Sequence, residues 1–289
     1  MPLQHLVDTF NERFIAENNL DSPPLSYEKG KVHGRFGNLS FTSELKPVRL
    51  HAEPKLITGR DTSPLVFTPA HSVDTTRILY SEEMPNIVSL DRLSRTVHML
   101  NYLSLNEEDS NLFLHVHPHH ILTVKKDHGA YFEDIIRRCG LPLRRIVISL
   151  TISPVYESQL LLLLERLRNY RERGYSTAVK FDQQVRPEFV ERFRTQFLHR
   201  LAPDYVRFSA GFFLRAYQDH GGSRRRNALF AAIRHVDTQV LIGGVSANSE
   251  AEIIGVINPD YVQGRWYETQ TSWMSSAQSL MKVSARSAF

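Results

Sequence analysis

Strand-like and helix-like segments alternate along the second half of the chain, and this alternation constrains the fold more than any other feature. Short runs rich in aliphatic and β-branched residues, typical of buried strands, occur at 145–150, 177–181, 205–208, 240–244 and 260–263. Longer amphipathic segments separate the first four runs, and two of them predict long helices at 155–173 and 187–201. Alternation of this kind predicts an α/β fold with parallel strands, and we expect a TIM-like (β/α) barrel. Earlier in the chain, two strands are predicted at 39–43 and 48–52 and a loop at 64–69.

The predicted strand ends carry an unusual set of residues. In a (β/α) barrel, the residues that bind ligands or catalyse reactions lie at the C-terminal ends of the strands. Those positions are Ser149, Lys180, Arg207, Gly243 and Ser246. None is a carboxylate, which is the ligand that hard divalent cations prefer. The pattern therefore argues against a metal-dependent phosphoryl hydrolase.

Residues 1–35 are predicted to form a helical appendage to a barrel domain at 36–289. Apolar residues at helical spacing predict a helix over 3–16, and Asp21–Pro24 ends it because proline cannot continue a helix. So short a helix is not stable alone in water. We expect its apolar stripe to cover the N-terminal end of the barrel or to dock on a second subunit or another protein.

Composition bounds the class of protein and its compartment. Of the 289 residues, 42% are hydrophobic and 23% are charged, as in ordinary globular domains. The single Cys139 excludes an internal disulfide and a cysteine-based zinc site, which favours a cytoplasmic location. The longest apolar run, Leu160–Leu164, is far shorter than the roughly 20 residues that cross a bilayer. The N-terminal residues show no signal-peptide pattern, and no cofactor is predicted.

Two further segments could bind ligands. Four histidines crowd positions 115–120, but no third ligand is evident beside a histidine pair, so core or loop histidines are predicted rather than a metal site. The basic segment Ser223–Asn227 could contact phosphates of nucleic acid or a membrane. Arginines without interleaved aromatic residues are more typical of a solvated helix start, so nucleic acid is not a predicted partner.

Six segments, taken in order, resemble the EAL domain family of cyclic di-GMP phosphodiesterases. Asp260–Gly264 matches the family's Asp-x-Val-Gln-Gly closely, and Leu112–Pro118 resembles its Ile-Asn-Val-Ser-Pro strand. The other resembling segments are 141–151, 162–181, 202–209 and 240–250. The resemblance covers about residues 36–270 and implies an EAL-type barrel.

The resemblance also implies where the family's two-metal site would lie. The nearest stretch to Glu-Ala-Leu is 51–56, in which Glu53 stands for the glutamate. The family's Asp-Asp pair falls on Lys180 and Phe181, and a one-residue shift would bring in only Asp182. The site positions are Glu53, His115, Ser149, Lys180, Phe181, Arg207, Gly243, Ser246 and Gln263, of which Gln263 alone clearly keeps the family's residue.

These departures imply a degenerate EAL domain that is not an enzyme. An ammonium such as Lys180 repels a divalent cation by a few kcal/mol at about 4 Å, and the missing carboxylates add to that effect. We expect an inactive regulatory protein of bacterial signalling that acts through a protein partner, with homodimerisation open. One alternative is a receptor that binds cyclic di-GMP without hydrolysing it, through Lys180, Arg207 and Gln263, although weak or absent binding is expected. The other is an active phosphodiesterase with an altered metal site.

Overall fold

A computed structural model describes residues 3–67, 87–107, 109–124, 129–181, 185–216 and 221–269. The helices are α1 (Leu3–Asn18), α2 (Ile87–Leu103), α3 (Pro118–Thr123), α4 (Ala130–Arg138), α5 (Leu160–Glu172), α6 (Pro187–Gln196), α7 (Leu198–Leu201), α8 (Ala210–Ala216), α9 (Gly222–His235) and α10 (Asn248–Ile257). The strands are β1 (Leu25–Glu28), β2 (Lys31–Phe36), β3 (Leu39–Leu50), β4 (Ile57–Phe67), β5 (Asn111–Val116), β6 (Ile146–Ile152), β7 (Ser176–Phe181), β8 (Tyr205–Ser209), β9 (Gln239–Gly243) and β10 (Tyr261–Val262).

The strands of the described residues belong to one sheet, in the order β1-β2-β3-β10-β9-β8-β7-β6-β5-β4. Because β3 also pairs with β4, the eight strands from β3 to β10 close into a barrel. The barrel is mixed, since β3 runs antiparallel to β10 while β4, β5 and β6 are parallel neighbours, as are β8, β9 and β10. The (β/α) barrel predicted from the sequence is confirmed, together with the helix at the N-terminus.

The barrel strands supply the buried core. Each residue that the strand patterns place at a strand centre is at most 1% exposed: Val147, Ile148, Val179, Val206 and Leu241. Aliphatic and β-branched side chains of this kind suit a strand that is covered on both faces, because both faces of a parallel sheet are shielded from water. These positions confirm the buried strands expected from the alternation.

The chain divides into two compact units. The first consists of Met1–Lys46 with Gly59–Lys180, and the second of Pro47–Thr58 with Phe181–Phe289. In the first unit, α2 packs against α1, α3, β2 and β5, and most of its residues are buried. In the second, Phe181 lies among the rings of other phenylalanines from α6 and β8. The domain boundary predicted near residue 35 stays a prediction.

Three expectations about local structure were wrong. The stretch 64–69 was expected to be a loop, but β4 continues to Phe67; its pairing with β5 spans Gly59–Asp61, so Pro64, which has no N–H, lies beyond that pairing. The two strands expected at 39–43 and 48–52 form the single strand β3. The helix expected at 155–173 begins as a 3₁₀ turn at Pro154–Gln159, which is followed by α5. The helix expected at 187–201 is divided into α6 and α7.

Within the described residues, no helix has both the length and the apolar character needed to span a membrane.

Candidate functional site

Four polar side chains of the first unit, one from each of four neighbouring strands, form what we call the polar row: Asp61 on β4, His115 on β5, Ser149 on β6 and Lys180 on β7. The strand register supports the grouping of the first three residues, and Lys180 lies on β7, the neighbour of β6. Asp61 is the Cα partner of Phe113, two residues before His115, and His115 is the Cα partner of Ser149. The row therefore contains one acid, one imidazole, one hydroxyl and one ammonium.

The acid and the imidazole of the polar row are paired. The Asp61 Oδ1 atom lies 3.0 Å from His115 Nε2, and the two side chains are only 9% and 16% exposed. A carboxylate at this distance orients the imidazole ring. Asp61 is thus engaged by a neighbouring side chain.

Sequence reasoning missed Asp61 and chose Glu53 as the carboxylate of this region. The structure places Glu53 in the turn between β3 and β4, where its backbone bonds to Leu50 and Leu56. Asp61 instead lies within β4. Residues 57–62 show no alternation of apolar and polar residues that could have signalled this part of the strand, and the loop expected at 64–69 begins only after it.

A buried histidine on α2, His98, lies close enough to His115 and Asp61 for their charges to affect its pKa. His98 is 3% exposed, and its ring nitrogens bond to Ser43 Oγ at 2.7 Å and Ser94 Oγ at 3.2 Å. Burial, followed by the neighbouring His115, lowers the pKa of His98 to about 3. The ring is therefore neutral at physiological pH, and its two nitrogens are satisfied by hydroxyl groups that accept or donate as the tautomer requires.

The depressed pKa of His98 predicts a loss of stability in mild acid. Below pH 6.5 the unfolded chain binds a proton at this residue, whereas the folded chain does not until about pH 3. The free energy of unfolding should therefore fall as the pH drops through this window, by up to roughly 1.4 kcal/mol per pH unit from this residue alone. Urea unfolding at a series of pH values between 7 and 4 gives the free energy of unfolding as a function of pH. This free energy should fall less steeply with decreasing pH in His98→Gln than in the unaltered chain, whereas His5→Gln, at an exposed residue, should keep the full pH dependence. Equal slopes in all three proteins would contradict this assignment.

Two other histidines of the cluster at 115–120, His117 and His120, have separate structural partners. His117 caps α3, with its Nδ1 atom accepting from the backbone N–H of His119 at 3.1 Å. His120 Nδ1 lies 2.7 Å from Asp91 Oδ2. Across the part of the chain that the structure describes, no three His, Cys, Asp or Glu side chains lie where they could hold a metal ion together.

In the second unit, the predicted site residue Phe181 is part of the hydrophobic core. It is 1% exposed, stacks on Phe208 with ring centroids 5.1 Å apart, and meets the edge of Phe193 at 5.2 Å. Aromatic pairs at these distances stabilise a core beyond the area they bury. The side chain at this position therefore packs between the sheet and the helix layer.

Arg207, Gly243 and Gln263 of the second unit lie on neighbouring strands or at their ends. Arg207 is 2% exposed and is the register partner of Leu241, two residues before Gly243, so the two positions share a face of the sheet. A Cβ on Gly243 would lie 3.3 Å from Gln263 Oε1, so the glycine leaves room for the amide. Gln263 is itself 7% exposed.

Ser246 serves a helix rather than a ligand. Its backbone N–H and its hydroxyl both donate to Glu250 Oε2, at 2.7 and 3.0 Å, and fix the start of α10. The expected anion site takes Lys180 from the first unit and Arg207 and Gln263 from the second, so that grouping stays a prediction. Asp182 and the C-terminal residues 270–289 lie outside the described residues.

No protein-family model and no curated protein matches the sequence. Several solved structures share the fold. The EAL-domain protein YkuI of Bacillus subtilis, in complex with its substrate cyclic di-GMP and calcium, aligns with a TM-score of 0.63 and 16% identity. The alignment covers 78% of this chain and 53% of that one.

Two proteins of Vibrio cholerae give similar alignments. A standalone EAL protein bound to cyclic di-GMP aligns with a TM-score of 0.56 and 16% identity over 78% of this chain and 89% of its own. The S helix-GGDEF-EAL part of LapD aligns at 0.61 and 9% identity, over 93% of this chain and 58% of its own. The chain thus spans little more than half of YkuI and of the LapD chain. At these identities, the similarity shows that the barrel is EAL-like in fold.

Proposed function

We propose that this chain is a catalytically inactive, EAL-like regulatory protein of bacterial cyclic di-GMP signalling, and that it acts by binding another protein. The observation that carries the proposal is how the site positions are used. Phe181, Ser149 and Ser246 stand where the family resemblance assigns metal-binding acids. Phe181 packs in the aromatic core, Ser149 is 0% exposed and Ser246 caps a helix.

The charges of the polar row support the same conclusion. Two-metal hydrolysis needs several carboxylates, which hold the cations and help them activate water. The row offers one, Asp61, which is paired with His115, and it adds the cation Lys180. A divalent ion entering this row would meet one negative and one positive charge, an arrangement that gives little net attraction.

A second candidate function is a receptor that binds cyclic di-GMP without hydrolysing it. Arg207 favours this candidate, because it stands where the family resemblance assigns a lysine of the site, and a guanidinium can pair with a phosphate through two parallel hydrogen bonds. YkuI and the standalone Vibrio protein were both solved with cyclic di-GMP. Weak binding at most is expected, and a cytoplasmic location belongs to either proposal, in keeping with the single Cys139.

Turnover of cyclic di-GMP tests the proposal directly. The purified chain, incubated with cyclic di-GMP and either Mg²⁺ or Mn²⁺, should show no hydrolysis near the rate of roughly 1 s⁻¹ typical of enzymes. Asp61→Asn, which removes the row's carboxylate, should behave identically. Turnover at an enzymatic rate that disappears in Asp61→Asn would overturn the proposal and support the active phosphodiesterase.

Calorimetric titration with cyclic di-GMP separates the two remaining functions. The inactive regulatory protein should bind with a Kd no tighter than about 100 µM, whereas a receptor should bind in the low micromolar range or below. Lys180→Glu reverses a charge of the polar row, and Arg168→Glu on the exposed face of α5 is its matched control. Tight binding that Lys180→Glu alone abolishes would favour the receptor.

A further inference from the structure

We propose that a groove between α9 and α10 binds an acidic amphipathic helix of a partner protein. The groove lies wholly within the second unit and has a volume of about 210 Å³. Apart from Asn227, the residues that line it are apolar or basic: Phe230, Ala231, Val256 and Ile257 are apolar, and Arg226 and Arg234 are basic. The inference rests on the proposed regulatory function and assigns it a surface and a class of partner.

The apolar side of the groove is open to solvent. Val256 is 82% exposed and Ile253, one turn earlier on α10, is 44% exposed. A Cβ on Gly255, which lies between them in the sequence, would meet no atom of the described residues within 4 Å. Single exposed apolar residues are ordinary, but a contiguous set beside a groove marks an interaction surface.

The two cations that line the groove, Arg226 and Arg234, both lie on α9. That helix carries Arg224, Arg225 and Arg226 near its N-terminus and contains no acidic residue within Gly222–His235. Cations at a helix N-terminus oppose the helix dipole, so their placement weakens the isolated helix. The acids of α10, Glu250 and Glu252, accept hydrogen bonds from Ser246 and Asn248 near the start of their own helix. A carboxylate of a partner would pair with Arg226 or Arg234 at the groove.

A helix fits the groove better than the other occupants do. The ten residues of α10 span about 15 Å, which is the length of a two- to three-turn helix lying alongside. A second copy in a symmetric dimer would bring the arginines of the two grooves together, and their like charges would repel each other. The C-terminal residues 270–289 contain Lys282 and Arg286 and no acid, so this chain's own tail has the wrong charge. Nucleic acid would match the arginines but leave Val256 and Ile253 exposed.

The test uses the full chain and two labelled synthetic peptides of 14 residues. Both carry leucines at i, i+3, i+4 and i+7 of one helix face, with glutamates flanking that face in the first and lysines in the second. In fluorescence anisotropy, the glutamate peptide should bind with a Kd of about 10 µM, at least tenfold tighter than the lysine peptide. Its affinity should fall as salt rises, because ions screen the arginines.

Two pairs of variants locate the binding. Ile253→Ser with Val256→Ser should weaken the glutamate peptide at least tenfold; the matched control, Val155→Ser with Leu161→Ser, should change nothing, since those residues are 68% and 45% exposed in the first unit. Similarly, Arg226→Glu with Arg234→Glu should abolish binding, whereas Arg168→Glu with Arg200→Glu should not.

Three results would overturn the proposal. They are equal affinity for the two peptides, binding that survives Ile253→Ser with Val256→Ser, and tight binding of a labelled DNA duplex that depends on the arginines but not on the apolar pair. The last would make the surface a phosphate site. None of these results affects catalytic inactivity, which the turnover assay decides, so failure of the groove and failure of the proposed function are distinguishable.

Discussion

Replacing Asp91 with asparagine should destabilise the fold by about 3 to 5 kcal/mol, because it removes the anion of a buried ion pair and leaves the cation buried. Asp91 Oδ2 accepts from Arg95 Nη2 at 2.5 Å and lies 2.7 Å from His120 Nδ1, while Oδ1 accepts from the backbone N–H of His117 at 3.0 Å. The Arg95 guanidinium also lies 3.9 Å from the centre of the Phe132 ring. The side chains of Asp91 and Arg95 are 3% and 1% exposed.

Electrostatics explains why the charge matters. Burial would raise the pKa of Asp91, but Arg95 and then His120 hold it far below its usual range, so the carboxylate stays ionised. Asparagine removes the charge and leaves Arg95 buried without its anion. It also disturbs the contact to His117, which begins α3 directly after β5, the strand that carries His115 of the polar row. Stability and the geometry of the row should both suffer.

A double-mutant cycle measured by urea unfolding checks this prediction. Asp91→Asn and Arg95→Met should each be strongly destabilising, and the double variant should lose clearly less than the sum, because it leaves no unpaired charge. The matched control is the exposed pair Arg168–Glu172, also spaced four residues apart, with side chains 64% and 60% exposed. There Glu172→Gln should cost no more than about 1 kcal/mol. Similar losses at the two pairs would refute the buried-pair account.

Local patterns in the sequence were enough to predict the barrel strands from β6 to β9. The aliphatic runs that contain Val147, Val179, Val206 and Leu241 are short, β-branched and bounded by polar segments, and such patterns depend little on distant contacts. Strand ends follow from strand positions, so Ser149 and Lys180 could be expected beside one another on the sheet. The position of Gln263 followed from its close family motif.

The features that sequence reasoning missed depend on tertiary contacts. Asp91 and Arg95, four residues apart on a helix, have the pattern of an exposed surface pair. They are buried because α2 is enclosed by α1, α3, β2 and β5. Asp61 was missed because residues 57–62 lack a strand pattern of their own, and they form a strand through the pairing of β4 with β5. The groove beside Val256 arises from two helices that are separate in the sequence.

Deleting residues 1–20 should leave the chain unable to fold stably. Four apolar side chains of α1, those of Leu6, Val7, Phe10 and Phe14, are each at most 4% exposed. They pack within the first unit, where α1 contacts β1 and α2. Burial of such side chains stabilises by about 1.5 to 3 kcal/mol each, and the sum approaches the whole stability of a typical domain. Loss of the cooperative thermal transition is the expected result.

Point variants distinguish packing within the chain from docking on another one. Phe10→Ala should cost about 3 to 5 kcal/mol, because it opens a cavity between α1 and its neighbours, while Leu20→Ala, at a residue 38% exposed just after the helix, should have little effect. Polar contacts hold α1 in the same place: Asn11 exchanges two hydrogen bonds with the backbone of Leu25, at 2.9 and 3.0 Å. If Phe10→Ala left the melting temperature unchanged but altered the assembly state in sedimentation, α1 would be a docking element. Because its stripe is already buried against its own chain, we expect stability to fall instead.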